Sequence, residues 1–203
     1  MKKLPSVANL SDAMGQLGLK FQTMHARVCP VFTPIHLHGP AYTVQCYPGA
    51  TWAAEEAIEQ AKPGSVLVIN GENYACAVLM GELMSGRAKK RGLAGAVIDG
   101  AVRDTAGLRN ARWPIFASHV TPRAGTFDKL GQQQVAISCG EVVVHPGDFI
   151  AGDDDGVVVI PRACLDAVLV KAHEIERKER FIAQAIRKGF SLARASAAYG
   201  KRR

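Results

Sequence analysis

Apolar positions recur at helical spacing near the start of the chain, where Val7, Leu10, Met14 and Leu17 mark one stripe of a helix over 6–17. After a proline-punctuated section, residues 41–46 (Ala-Tyr-Thr-Val-Gln-Cys) alternate as a half-buried strand does. Pro48-Gly49 turns the chain, Thr51 stands where a helix cap belongs, and a helix runs through Glu55, Ile58 and Ala61. Pro63-Gly64 ends it, and 65–69 (Ser-Val-Leu-Val-Ile) reads as a buried strand. The longest apolar block, residues 75–80, reads as a core segment. The pattern then repeats, with a helix over 81–91, a strand over 95–98, a short helix over 105–111 and a strand at 115–118. Strands follow at 135–137, 141–144, 149–150 and 157–160, punctuated by Gly140, Pro146-Gly147 and the glycines at 152 and 156. A long helix from about 164 to 188 closes the pattern, with Leu165, Val168, Leu169 and Ala172 on one stripe.

Alternating strands and helices followed by short strands predict an α/β fold with a mixed-sheet core. No repeat, low-complexity tract or linker divides the 203 residues, so a single domain over 1–203 is expected, with 162–203 as a C-terminal helix and basic tail. A charged terminal helix on such a body points to an oligomer.

Charge changes the picture little. The net charge of +7 comes entirely from residue 161 onward, where 11 basic residues face 4 acidic ones; residues 1–160 carry 14 of each. That tail lacks the clustered aromatics of a nucleic-acid platform, which argues against nucleic acid as a partner, and its tip, Lys201-Arg202-Arg203, reads as solvated. No apolar run approaches the roughly 18 residues of a membrane span, and no export signal opens the chain, so a cytoplasmic protein without a membrane partner is expected. The five cysteines are scattered without CxxC spacing and read as buried thiols in a reducing compartment.

The densest chemistry lies between Met80 and Asp104. Gly81-Glu82-Leu83-Met84 opens a helix whose free N–H groups and positive dipole end can seat a carboxylate or phosphate. Asp99-Gly100-Ala101-Val102-Arg103-Asp104 follows a buried strand, and ligands of α/β folds gather at the carboxyl ends of strands. Two readings of Arg103 and Asp104 stand side by side. In one, Asp104 holds a hard divalent cation while Arg103 grips a carboxylate or carbonyl; in the other, both cap the 105–111 helix and pair with surface charges.

These stretches carry a resemblance. Gly81-Glu82-Leu83, residues 91–104 (Arg-Gly-Leu-Ala-Gly-Ala-Val-Ile-Asp-Gly-Ala-Val-Arg-Asp), Gly39-Pro40-Ala41, Trp113-Pro114, Pro146-Gly147-Asp148 and Gly152-Asp153-Asp154-Asp155-Gly156 together resemble the RraA-like family over residues 6–185. That family includes 4-hydroxy-4-methyl-2-oxoglutarate/4-carboxy-4-hydroxy-2-oxoadipate aldolases and the regulator of ribonuclease E activity. The resemblance implies a swivelling β/β/α, phosphohistidine-domain-like fold, assembled as homotrimers or homohexamers with sites near subunit boundaries. It also implies an aldolase cleaving 4-hydroxy-4-methyl-2-oxoglutarate or a related 4-hydroxy-2-oxo acid to pyruvate, with oxaloacetate decarboxylation as a side activity. In that branch the position of Asp104 bears magnesium or manganese, Arg103 contacts pyruvate, and the backbone of Gly81, Glu82, Leu83 and Met84 seats its carboxylate. The catalytic acid 21 positions before the arginine is usually Asp there and is Glu82 here. Pro48-Gly49-Ala50-Thr51-Trp52 departs from the Pro-Gly-Asp-Asn of relatives. An acidic residue of the terminal helix, where Glu174, Glu176 and Glu179 lie, reaches a neighbouring subunit's site. The alternative within the family is a non-catalytic regulator that binds a protein partner.

The chemistry of the residues agrees with the lyase. Retro-aldol cleavage leaves a pyruvate enolate, whose charge a cation and Arg103 would stabilise. A Schiff-base route needs a desolvated lysine, and neither Lys62 nor the Lys89-Lys90-Arg91 run reads as buried. Elsewhere, His36 and His38 lack a third metal ligand nearby, Asp153-Asp154-Asp155 reads as a turn between strands with solvated or capping carboxylates, and His119 as a structural histidine.

Overall fold

A computed structural model describes residues 4–200. Its first helix, α1 (Val7–Gln16), starts where the Ser6 hydroxyl accepts the Asn9 N–H at 3.2 Å, and it buries Val7, Leu10 and Met14 as the spacing predicts. Leu17 falls beyond the helix and is 41% exposed.

The sheet is built from β1 (Cys29–Pro30), β2 (Leu37–Cys46), β3 (Val66–Met80), β4 (Gly95–Val102), β5 (Ile115–Val120), β6 (Gly131–Gln133), β9 (Phe149–Asp153) and β10 (Gly156–Ile160). Its order is β1-β5-β4-β3-β2-β9-β10, with β6 alongside β2. The four central strands β2, β3, β4 and β5 run parallel, because α2 (Trp52–Gln60), α3 (Glu82–Lys90) and α4 (Thr105–Ala111) supply the crossovers between them. β1, β6, β9 and β10 pair antiparallel at the flanks. Two further strands, β7 (Ile137–Cys139) and β8 (Val142–Val144), form a hairpin around Gly140 and Glu141, both at positive φ. This is the mixed α/β sheet with a C-terminal helix that the sequence predicts.

Burial on both faces explains the apolar runs. All eight residues of β4 are buried, as are Val66–Ile69 of β3. β10 divides its side chains between two cores: Val157 and Val159 join the main core with β2, β3, β4 and β5, while Val158 and Ile160 join a second one. That second core holds Leu10 and Met14 of α1 and Val168, Ala172 and Ile175 of α5 (Leu165–Arg187).

Several expectations need correction. β3 runs fifteen residues because its pairing with β4 slips three times beyond Asn70. Glu72 and Asn73 adopt positive φ there, which leaves Ala75 and Cys76 exposed, so only Ala77–Met80 of the expected core block is buried. β4 and β5 extend past their predicted ends to Val102 and Val120, and the strand expected at 135–137 starts instead at Ile137, as β7, with β6 ahead of it at Gly131–Gln133. Thr51 does not cap α2 with its side chain; its hydroxyl donates to the Thr126 carbonyl instead. Of the cysteines, Cys46 and Cys139 are buried, burial pushing the Cys46 thiol up to about 12, whereas Cys29 and Cys76 are exposed and Cys164 is half-buried. A last helix, α6 (Leu192–Gly200), was not legible in the pattern, and it rests its Tyr199 ring 5.5 Å from that of Phe181 on α5. The Lys201-Arg202-Arg203 tip lies outside the described residues. No helix among the described residues is long and apolar enough to cross a membrane.

Candidate functional site

Parallel strands β3 and β4 end side by side, with Met80 paired to Val102 and the Arg103 N–H donating back to the Met80 carbonyl at 3.2 Å. Two chain reversals therefore start at adjacent points, one into α3 and one into α4. This is the carboxyl-end position where α/β folds collect ligands.

At the first reversal Gly81 is extended (φ −138°) and its carbonyl accepts both the Ser85 N–H and the Ser85 hydroxyl, which fixes the first turn of α3. At the second, Asp104 takes a left-handed conformation (φ 60°, ψ 40°), unusual for a residue with a side chain. Asp104 stands at the start of α4 but makes no side-chain cap there. Its Oδ2 accepts the Glu82 N–H at 3.2 Å and lies 3.5 Å from the Arg103 Nε. The capping reading of Asp104 thus gives way to one in which it reaches across to α3.

Close approach favours glycine at 81. A Cβ there would stand 2.7 Å from Asp104 Oδ2 and 3.2 Å from the Arg103 Cγ. The backbone N–H groups of Leu83 and Met84, the rest of that first turn, find no acceptor among the described residues. The structure so brings together Gly81, Glu82, Leu83, Met84, Arg103 and Asp104, all six predicted site residues. Arg103 and Asp104 keep 40% and 43% of their side chains exposed, and Leu83 is 87% exposed, so in the single chain the site is an open shelf. A groove of about 440 Å³ lies elsewhere, between α1, α5 and α6, with Lys171, Glu174 and Tyr199 on its walls.

Asp104 could hold a divalent cation. Its Oδ1 accepts no bond from the described residues, and 43% of the side chain is exposed, so the carboxylate is within reach from solvent. Magnesium keeps several waters and binds through one or two carboxylates plus substrate oxygens, so a single partly exposed carboxylate suits it. Among the described residues no cluster of three or more His, Cys, Asp or Glu stands ready to ligate a metal by itself. His36 and His38 are exposed, and the Asp153-Asp154-Asp155 turn caps: Asp153 accepts the Val7 N–H and Asp154 the Ile35 N–H.

Asp99 does not join the site. β4 continues to Val102, so Asp99 lies within the strand and is only 4% exposed. Arg27 bonds it through Nε and Nη2 at 3.2 and 3.0 Å, the Ser118 hydroxyl donates at 2.7 Å and the Gly140 N–H at 2.8 Å. Burial opposes ionisation of this carboxyl, but the bonds from Arg27, Ser118 and Gly140 outweigh it and hold Asp99 below the usual carboxylate range. Arg27 also reaches Glu141 at 2.6 Å, and bonding to Asp99 holds its guanidinium well above its ordinary value. Nothing in the local sequence marks Arg27 as the partner, since 72 residues separate the two. His119 bonds Asn73 at 2.7 Å, and Lys62, Lys89 and Lys90 are exposed.

Residues 7–159 match the family model described as RraA-like, Aldolase/RraA. The chain is 38% identical over 177 residues to a Halalkalibacterium halodurans protein named "Putative 4-hydroxy-4-methyl-2-oxoglutarate aldolase", a match covering 85% of this chain and 82% of that one. Among solved structures, an uncharacterized protein from Pseudomonas syringae superposes with a TM-score of 0.88 at 28% identity, over 96% of this chain and 90% of the other. RraAS2 of Streptomyces coelicolor, described as an unusual member of the RNase ES inhibitor RraA protein family, superposes with a TM-score of 0.80 at 28% identity, over 89% and 93%.

Proposed function

The chain belongs to the RraA-like family, and on that premise we propose that it is a divalent-metal-dependent lyase releasing pyruvate from 4-hydroxy-4-methyl-2-oxoglutarate or a related 4-hydroxy-2-oxo acid. The observation that carries the reading is the left-handed Asp104, which sets its carboxylate between the Arg103 guanidinium and the first turn of α3.

In this reading the unpaired N–H groups of Leu83 and Met84 take the substrate carboxylate, with the positive end of α3 behind them. Arg103 binds the carboxylate–keto edge and faces the negative charge that grows on the keto oxygen as the C3–C4 bond breaks. Glu82 accepts the proton of the 4-hydroxyl as that carbon becomes a carbonyl, and a proton returned to C3 completes pyruvate. Magnesium or manganese bound at Asp104 supplies Lewis-acid stabilisation of the same developing charge. Oxaloacetate loses carbon dioxide through the same enolate, so its decarboxylation is the expected side activity. The open shelf of the single chain supports a homotrimer or homohexamer in which a neighbouring subunit closes the site.

The regulator reading draws on the likeness to the Streptomyces RNase ES inhibitor relative. A binding surface alone has no need of Glu82, Arg103 and Asp104 gathered at two adjacent strand ends, which favours the lyase. The test is pyruvate release from 4-hydroxy-4-methyl-2-oxoglutarate and from oxaloacetate after chelator treatment, with and without added magnesium. Release that is absent with every cation would sink the lyase; equal release in chelator would sink the metal.

A further inference from the structure

Gly107 sits in the first turn of α4, and its backbone φ lies outside the left-handed region that favours glycine. Alanine would be the better helix former. What occupies the space of the missing side chain is the Glu82 carboxylate: a Cβ on residue 107 would stand 2.7 Å from Glu82 Oε1 and closer still to Cδ and Oε2. Glu82 thus leans from the start of α3 onto α4, three residues on from Asp104, while its own N–H holds Asp104 Oδ2.

We infer that Gly107 is the positioning residue for Glu82, and that the two form a matched pair in which the bare backbone at 107 accommodates the longer of the two acidic side chains. The proposal rests on the lyase reading for its kinetic consequence, although not for its geometry. Glu82 is the flexible partner, so a methyl group at 107 displaces the carboxylate rather than the helix. An aspartate at 82 is one methylene shorter, which draws its carboxylate back towards α3 and lets it turn away from the methyl group. The two substitutions should therefore compensate each other.

Four proteins test this: wild type, Gly107→Ala, Glu82→Asp and the double variant. Gly107→Ala should melt no lower than wild type, yet lose roughly ten- to a hundredfold in kcat with a smaller change in KM, the scale expected of a misplaced catalytic group. Adding Glu82→Asp to Gly107→Ala should recover most of that loss, whereas independent sites would multiply their defects. A crystal structure of Gly107→Ala should show the Glu82 carboxylate moved off α4. Unchanged kcat in Gly107→Ala, a double variant as poor as the product of the singles, or a carboxylate still in place would each overturn the pairing. Should wild type release no pyruvate from any 4-hydroxy-2-oxo acid, the lyase reading alone falls, and the Glu82 position in the Gly107→Ala crystal still decides the pair.

Discussion

Arg27 and Asp99 meet in two parallel hydrogen bonds across the edge of the main core, tying the segment before β1 to the middle of β4. The same carboxylate also accepts the Ser118 hydroxyl and the Gly140 N–H, so it joins β4, β5 and the β7–β8 turn at one point. A carboxylate with four donors is a lock.

Asp99→Asn should therefore destabilise the fold by about 2–3 kcal/mol at neutral pH, since an amide nitrogen would face donors where a carboxylate oxygen now accepts. The bonds hold the folded carboxyl below its unfolded value, so the stabilisation is complete above the unfolded value near pH ~4 and fades as pH falls through the lower folded one. Urea unfolding of both proteins from pH 2.5 to 7 checks this. The gap should widen with rising pH and then level off; a constant gap would mean that the ionised form is not what stabilises.

Asp104→Ala should abolish pyruvate release, and excess magnesium should not restore it. Calorimetric titration with magnesium alone, without substrate, gives an independent readout: binding seen in wild type should vanish in the variant. Retained binding would move the cation elsewhere.

Arg103→Lys should fail nearly as badly as Arg103→Ala. A guanidinium makes two parallel bonds to a carboxylate–keto edge, whereas an ammonium is a single point charge. Turnover should fall along with binding, because the charge faced by Arg103 grows towards the transition state. Intact kcat with raised KM would confine Arg103 to binding.

The terminal helices should respond differently to truncation. Ending the chain after Pro161 removes Val168, Ala172 and Ile175 and lays Ala151, Val158 and Ile160 open, so the remaining body should melt far lower or fail to fold. Ending it after Lys188 removes α6, which buries only Ala195, and should leave the fold standing. Circular dichroism melts and light scattering of both truncations would show it. The buried members of the apolar stripe of α5, Val168, Ala172 and Ile175, serve this chain's own second core.

Runs such as 66–69, 95–98 and 157–160 were legible because a parallel or doubly covered strand must be apolar on both faces. The far half of β3 was not legible. Its exposed Ala75 and Cys76 share one apolar run with buried Ala77–Met80, and only the positive φ of Glu72 and Asn73 separates them. The site was readable at Gly81, Arg103 and Asp104, where glycine and charge interrupt apolar strands. Asp99 misled because three more residues of strand follow it, and residue order does not show where a ladder stops. Gly107 did leave a trace: a glycine inside a helix costs about 1 kcal/mol against alanine and invites a search for what fills the gap.

β10 feeds alternate side chains into two cores, and that has a kinetic consequence for the whole molecule. A strand packed on both faces loses half of its side-chain burial whichever layer departs, so neither layer can leave without weakening it. Amide protons of Val157–Ile160 should then exchange only through global opening, at the slowest rate in the chain, and loosening α1 or α5 should speed exchange in β9 and β2 as well. Heat should accordingly melt the terminal helix layer and the sheet that carries Asp104 in one transition.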